Sequence, residues 1–253
     1  MTVRALSFDA VAELYDSSRP GYPPALLDAV EQAAGRGLAG ADVVDVGAGT
    51  GLATRALLAR GARVTAVEPG PGMAGQLHRG LPGVPLVRGV GDALPLADTS
   101  ADVITYAQSW HWTDRARAYA EAMRVLRPGG ALAMFWNAAD QAVPWIAAQD
   151  ERLRAHAGDG GHGEHGIRGA LAAGRLLPAG TPYEHRQVPW SRTVTLDAHL
   201  DNVSTHSIFR VLGESATAAF LTAERAELLR IFPEGAVREE YVVDLVVVTR
   251  PPA

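Results

Sequence analysis

A doubly wound α/β domain on a mostly parallel sheet is predicted by three features of the sequence. From residue 41 onward, short β-branched apolar runs alternate with helical stretches, the pattern of βαβ units. The first run, Val44-Asp45-Val46, empties into the glycine-rich turn Gly47-Ala48-Gly49-Thr50-Gly51 and then a helix. Acids stand at the end of the second run and after the third, at Glu68 and Asp92.

The elements follow in order. Residues 42–46 (DVVDV) read as a buried strand, and 52–60 as a helix closed by Gly61, since glycine accepts the left-handed backbone that ends helices. Residues 63–67 (RVTAV) are the second strand, 71–78 a short helix, 85–87 a short third strand and 102–108 (DVITYAQ) a fourth. Asp114, Arg115 and Arg117 interleave with Ala118, Ala122, Val125 and Leu126 at three-to-four spacing, so 113–126 is helical, and Pro128-Gly129-Gly130 stops it. Residues 131–136 are the fifth strand. From 138 to 181 the chain is rich in Ala and Gly, and the tract 158–166 (GDGGHGEHG) is too rich in conformationally free glycine for a regular element. It is expected to be a mobile loop in a lid-like insertion. Residues 188–196 and 241–249 (YVVDLVVVT) read as closing strands, with helical stretches around 207–212 and 216–231. The expected organisation is an N-terminal helical cap over 1–40, a ligand-binding core over 41–137, a lid over 138–187 and a C-terminal segment over 188–253 that completes the sheet.

Composition narrows the chemistry. The 253 residues carry 23 basic and 28 acidic side chains, a net charge of −5, which argues against a broad phosphate-neutralising face and hence against a nucleic-acid partner. There is no cysteine and no lysine. Thiolate nucleophiles, cysteine metal sites, Schiff bases and the lysine of a P-loop are therefore excluded. No apolar run approaches the roughly 20 residues that span a bilayer, and the first ten residues lack a basic segment followed by an apolar one, so a cytoplasmic protein without membrane contact is expected.

The glycine turn brings backbone close to a ligand at a helix N-terminus. A dinucleotide site wants G-x-G-x-x-G, but the sixth position from Gly47 is Leu52, which counts against a dehydrogenase. Asp45, two residues before the first glycine, fits poorly beside a pyrophosphate and suits a ligand carrying an ammonium group. Glu68 stands where a carboxylate accepts from ribose hydroxyls, and Asp92, in Gly91-Asp92-Ala93, can accept from an adenine amino group. Trp110, Trp112, Trp136 and Trp145 lie at or after the ends of the fourth and fifth strands, the rim where open α/β sheets bind ligands. With Asn137 they are expected to frame an acceptor, either as an aromatic cage beside a cation or as a hydrophobic plug. His111, with an ordinary pKa near 6.5, suits a general base, or else a structural or ligand-contacting role. His156, His162, Glu164 and His165 read as a solvated loop and not as metal ligands, so no metal is expected.

Residues 45–51, Glu68, 91–96 (GDALPL) and 125–130 (VLRPGG) resemble the class I S-adenosylmethionine-dependent methyltransferases. More narrowly, 8–16 (FDAVAELYD) with 19–23 (RPGYP) is similar to small-molecule methyltransferases of the trans-aconitate methyltransferase type. The likeness runs over about residues 8–145. It implies a Rossmann-like seven-stranded sheet with one antiparallel strand, a place 241–249 could fill. It also implies S-adenosylmethionine as cofactor, with Gly47, Gly49 and Gly51 along its methionyl part and Asp45 orienting its ammonium group. Glu68 would hold the ribose, Met73 would cover the adenine, and Asp92 with the Ala93 backbone would read the adenine edge. Gln108 would lie beneath the sulfonium, and Tyr15 and Arg19 would come from the cap, Arg19 meeting the carboxylate. The implied reaction is in-line methyl transfer to a small molecule. Intramolecular cyclisation of the cofactor with release of methylthioadenosine is the alternative, and a non-catalytic cofactor-binding protein a further one.

Overall fold

A computed structural model of the chain describes residues 19–157, 170, 174–205, 209 and 213–252. The motif at 8–16 with Tyr15, the glycine tract at 158–166 and, Phe209 apart, the stretch at 207–212 lie outside the described residues.

Four of the five residues of β1 (Asp42–Val46) are buried. A strand with nothing to show to water needs cover on both faces and partners on both edges. The partners are β2 (Arg63–Val67) and β4 (Ala101–Ala107), both parallel, with Val44 opposite Thr65 on one side and Ile104 on the other. The sheet extends outward to β3 (Leu86–Val87) beyond β2, and to β5 (Leu126–Ala139), β7 (Ala236–Thr249) and β6 (Glu184–Thr195) beyond β4. The resulting order is β3-β2-β1-β4-β5-β7-β6. β7 runs antiparallel to both β5 and β6, and the other pairings are parallel.

Period-two alternation sorts the strand residues into two cores. Val43, Val103, Ala133, Phe135 and Leu245 pack with Leu26, Leu27 and Val30 of α1 (Pro24–Ala34) and Leu57 of α2 (Leu52–Ala59). Their neighbours Val44, Ile104, Leu132, Met134 and Val246 pack with Ala118, Ala122 and Val125 of α4 (Arg115–Val125). Between these helices in sequence, α3 (Pro71–Gly80) follows β2 and buries Met73, Ala74 and Leu77. Asp114 caps α4, its side chain accepting from the Ala116 and Arg117 N–H groups, as a first-turn carboxylate should.

Several elements differ from the sequence reading, the strands through tertiary pairing. β5 starts at Leu126, not at 131, because Gly129 N–H donates to the Arg250 carbonyl and Arg250 N–H donates to that of Gly130. β6 starts at Glu184, inside the expected lid, because it is registered against β7 from Glu184↔Val247 to Thr195↔Ala236. Its polar residues His185 and Gln187 both bond the buried Asp244 carboxylate. The Ala-rich segment contains α5 (Pro144–Ala157), and the expected strand end at 196 opens α6 (Leu196–Ser204), capped by the Thr195 hydroxyl accepting from Ala198 N–H. Together with α7 (Glu214–Ile231), these helices enclose a satellite core of Leu196, Leu200, Leu228 and Val237. Among the described residues no helix is long and apolar enough to cross a membrane.

Candidate functional site

The carboxyl ends of the central parallel strands enclose a cleft of about 230 Å³, lined by Arg19, Val46, Gly47, Gly49, Glu68, Pro69, Met73, Val90, Gly91, Asp92, Tyr106, Ala107, Gln108, His111, Trp112 and Thr113. The turn after β1 builds its floor. Gly47 is left-handed (φ 68°), and its N–H, like that of Ala48, donates to the Val67 carbonyl. A Cβ at Gly47 would fall 2.5 Å from Ser109 Cβ, while Ser109 is itself held by donating to the Val46 carbonyl at 2.6 Å. Only glycine fits there. Gly49 (φ 59°) differs: a Cβ would meet nothing within 4 Å, so its bare backbone faces open space.

Glu68, buried at the end of β2, is the hinge of the site. One carboxylate oxygen accepts from Gly49 N–H at 2.8 Å and the other from Gly70 N–H at 2.7 Å. Asp92 Oδ1 accepts from Asp114 N–H at 3.0 Å, tying the loop after β3 to the start of α4. Gln108 is left-handed without being glycine (φ 58°). Its N–H donates to the Phe135 carbonyl and its Nε2 to the Asn137 carbonyl, both at 2.9 Å. Such a backbone persists only where its surroundings over-determine it. Arg19 lines the cleft and donates to the Thr205 carbonyl at 3.3 Å, linking the N-terminal segment to the end of α6.

His111, in the short turn Trp110–Trp112, is exposed at the cleft mouth, with its ring against Trp112 at 4.5 Å. Trp136 Nε1–H donates to its Nδ1 at 3.3 Å. Desolvation among these aromatic rings, and then the Arg115 guanidinium, lower its pKa to about 4. The ring is neutral at physiological pH, and with Nδ1 accepting, the proton sits on Nε2. With Nδ1 accepting from Trp136, the neutral ring offers its Nε2–H as a donor.

Other expected site residues stand away from the cleft. Asp45 is fully buried, its carboxylate accepting from Thr54 Oγ1 at 2.7 Å and Thr105 Oγ1 at 2.9 Å. Burial raises its pKa, with the Thr54 and Thr105 hydroxyls opposing. It joins β1, β4 and α2 and does not line the cleft. Gly51 (φ 92°) caps α2, and a Cβ there would crowd Leu81 and Leu77; it is not among the cleft-lining residues. Ala93 N–H is engaged by the Val90 carbonyl at 3.2 Å, and the residue does not line the cleft.

Of Trp110, Trp112, Trp136 and Trp145, Trp112 lines the cleft. Trp110 is fully buried, with Nε1–H on the Leu176 carbonyl, so it is a plug; Trp136 is buried and serves His111; Trp145 packs on His199 and Phe232 in the helical satellite. Asn137 positions its neighbours, donating to the Gly21 carbonyl and accepting from Trp190 Nε1–H. Tyr106, Val90, Pro69 and Thr113 line the cleft without having been singled out from the sequence. For Tyr106 the available signal was a phenol in an otherwise aliphatic strand. Among the described residues no cluster of three or more His, Asp or Glu could hold a metal ion.

Comparison with known proteins gives the same picture. Residues 44–134 match the family model described as a methyltransferase domain. An uncharacterised methyltransferase of Mycobacterium tuberculosis is 36% identical over 203 residues, which cover 80% of this chain and 77% of that protein. An uncharacterised methyltransferase-like protein of Schizosaccharomyces pombe is 35% identical over 139 residues, 52% of each chain. A solved structure described as a candidate type II methyltransferase of Anaeromyxobacter dehalogenans superposes with a TM-score of 0.72 at 28% identity, over 93% of this chain and 99% of that one.

Proposed function

The chain belongs to the class I S-adenosylmethionine-dependent methyltransferases, and from that premise we propose that it methylates a small molecule held at the mouth of the cleft, beside Gln108, His111 and Trp112. The observation that carries the reading is the Gly49–Glu68 contact. A buried carboxylate oriented by two backbone N–H groups repels a phosphate but accepts from a ribose diol, and the open backbone at Gly49 admits a ligand to van der Waals distance. The fit extends along the cleft, since Glu68 and Asp92 bring two carboxylates and Trp112 an aromatic face to a ligand of net positive charge. A cleft of about 230 Å³ and a net charge of −5 suit a small acceptor better than a polynucleotide.

When bound, S-adenosylmethionine supplies an activated methyl group on a sulfonium centre. The chain's own contribution is to bind and align. Glu68 takes the ribose hydroxyls, Asp92 the adenine amino group and Met73 one face of the base, while the backbone of Gly47 and Gly49 lies along the methionyl chain. Arg19 takes the carboxylate. Asp45 acts at one remove, by holding the turn onto α2 and β4 through Thr54 and Thr105. Gln108, fixed by its two hydrogen bonds, orients the acceptor with the His111 Nε2–H, and Trp112 excludes water from its path. Positioning in a dry site provides most of the rate.

The test is product identification. Incubated with methyl-labelled cofactor and a panel of small carboxylic acids, phenols and amines, the protein should release S-adenosylhomocysteine only when one acceptor class is present, and that acceptor should carry the label. Methylthioadenosine formed with cofactor alone would contradict methyl transfer.

A further inference from the structure

We propose that Arg88 is a positioning residue for the cofactor: its guanidinium, laid across the carbonyls of Glu68 and Pro69, holds the turn that aims the Glu68 carboxylate into the cleft. This deepens, and rests on, the reading of Glu68 as the acceptor for the ribose hydroxyls. The need for such a side chain begins in the sequence. β3 has only two residues, and its ladder with β2 ends where Glu68 N–H donates to the Val87 carbonyl at 3.0 Å. The next residue is Pro69, which has no N–H to continue the ladder. Arg88, directly after β3, takes over with its side chain. Its Nε donates to the Glu68 carbonyl at 3.2 Å and its Nη2 to the Pro69 carbonyl. A planar guanidinium serves two successive carbonyls in one fixed geometry, whereas an ammonium group is a point donor on a flexible stem.

The base of this fork is fixed as well. At Gly89 a Cβ would lie 2.8 Å from Pro95 Cδ and 3.2 Å from Val67 Cγ1, so the backbone that follows Arg88 is pressed against its neighbours. What the fork holds is the turn on which the site depends. Gly70 N–H donates to the Glu68 carboxylate at 2.7 Å, and the Gly70 carbonyl accepts from Ala74 N–H at 2.9 Å as α3 begins. Glu68, Pro69 and Met73 all line the cleft. Arg88 does not line it and is exposed on the outer side of the turn, so it acts on the ligand through Glu68 and contributes little to the core.

The experiment compares wild type, Arg88→Ala and Arg88→Lys by calorimetric titration with S-adenosylhomocysteine and by ligand-free melting. It adds the amide resonances of Gly49 and Gly70 without ligand, because those two N–H groups report where the Glu68 carboxylate sits. Both variants should bind about fivefold to tenfold more weakly than wild type, with both amide protons displaced and the melting temperature within about 3 °C. Arg88→Lys keeps the charge but loses the fork, so it should restore neither the affinity nor the amide positions. Wild-type affinity in Arg88→Ala, unmoved Gly49 and Gly70 amides, or full restoration by Arg88→Lys overturns the proposal and leaves the cofactor reading standing. A melting temperature lowered by more than about 3 °C in both variants does the same, since Arg88 would then support the fold at large. Failure of the wild type to bind S-adenosylhomocysteine overturns the cofactor reading and the proposal with it.

Discussion

His111 shows how one hydrogen bond sets a residue's chemistry. Because Trp136 donates to Nδ1, the imidazole offers a donor to the cleft at neutral pH. His111→Gln, which keeps both an acceptor and a donor, should lower kcat no more than about tenfold, whereas loss of a true general base costs about 10²–10⁴-fold. The pH profile of kcat/KM should show no inflection near 6.5 from this ring. The sign for stability follows from the same shift. The folded pKa, about 4, lies below the ordinary 6.5, so the unfolded chain binds more protons between these values. The contribution of His111 is full above pH 6.5 and declines as pH falls toward 4. Wild type should therefore lose more melting temperature than His111→Gln over that interval; equal losses would contradict the assignment. The need for glycine at 47 and an acid at 68 was legible in the sequence, because a strand-to-helix turn states its requirements locally. The tautomer of His111 was not, since it depends on a tryptophan 25 positions away.

At the scale of elements, the helical satellite on the β6–β7 hairpin is held by polar groups as much as by its small apolar core. Glu224 of α7, 1% exposed, accepts from Arg152 Nε at 2.7 Å, Arg152 Nη2 at 2.6 Å and Gln149 Nε2 at 3.1 Å, joining α7 to α5. Glu239 of β7 accepts from Arg192 Nε of β6 at 2.5 Å and is bonded to His199 Nδ1 of α6 at 2.7 Å. Burial alone would push Glu239 upward, but His199 and Arg192 hold it below the usual carboxylate range. Gln149 contacts His199 Nε2 and Glu224 together, so the two ion pairs form one network. Glu224→Ala should cost about 2–3 kcal/mol, below the full loss of a buried pair because Arg152 is partly exposed. The melting temperature should fall by about 5–10 °C; an unchanged value would show that the network adds nothing. Little of this was visible in the sequence. Arg152, Glu224 and Glu239 read as ordinary surface charges until α5, α6 and α7 are folded onto the hairpin.

For the whole molecule, the parallel sheet was the most legible feature, because strands buried on both faces read as mainly apolar, β-branched runs, as 42–46 and 102–107 do with Asp45 and Thr105 as buried polar exceptions. The acids at the sheet's rim were legible because strand order places them there: β2 beside β1 brings Glu68 to the glycine turn, and the loop after β3 returns Asp92 toward α4. The acceptor side was not. Trp110 and Trp145 follow strand ends and Trp136 lies within β5, yet whether such a residue faces core, neighbour or cleft depends on the backbone that carries it. The cofactor site at the carboxyl ends of β1 and β2 is the centre of the functional reading, and calorimetric titration of wild type and Glu68→Ala with S-adenosylhomocysteine tests it most directly. Wild type should bind one equivalent, and Glu68→Ala should bind at least about tenfold more weakly, consistent with loss of a charged hydrogen-bond acceptor. Absence of binding to wild type, or equal affinity in the two chains, would contradict the placement of the cofactor in this cleft.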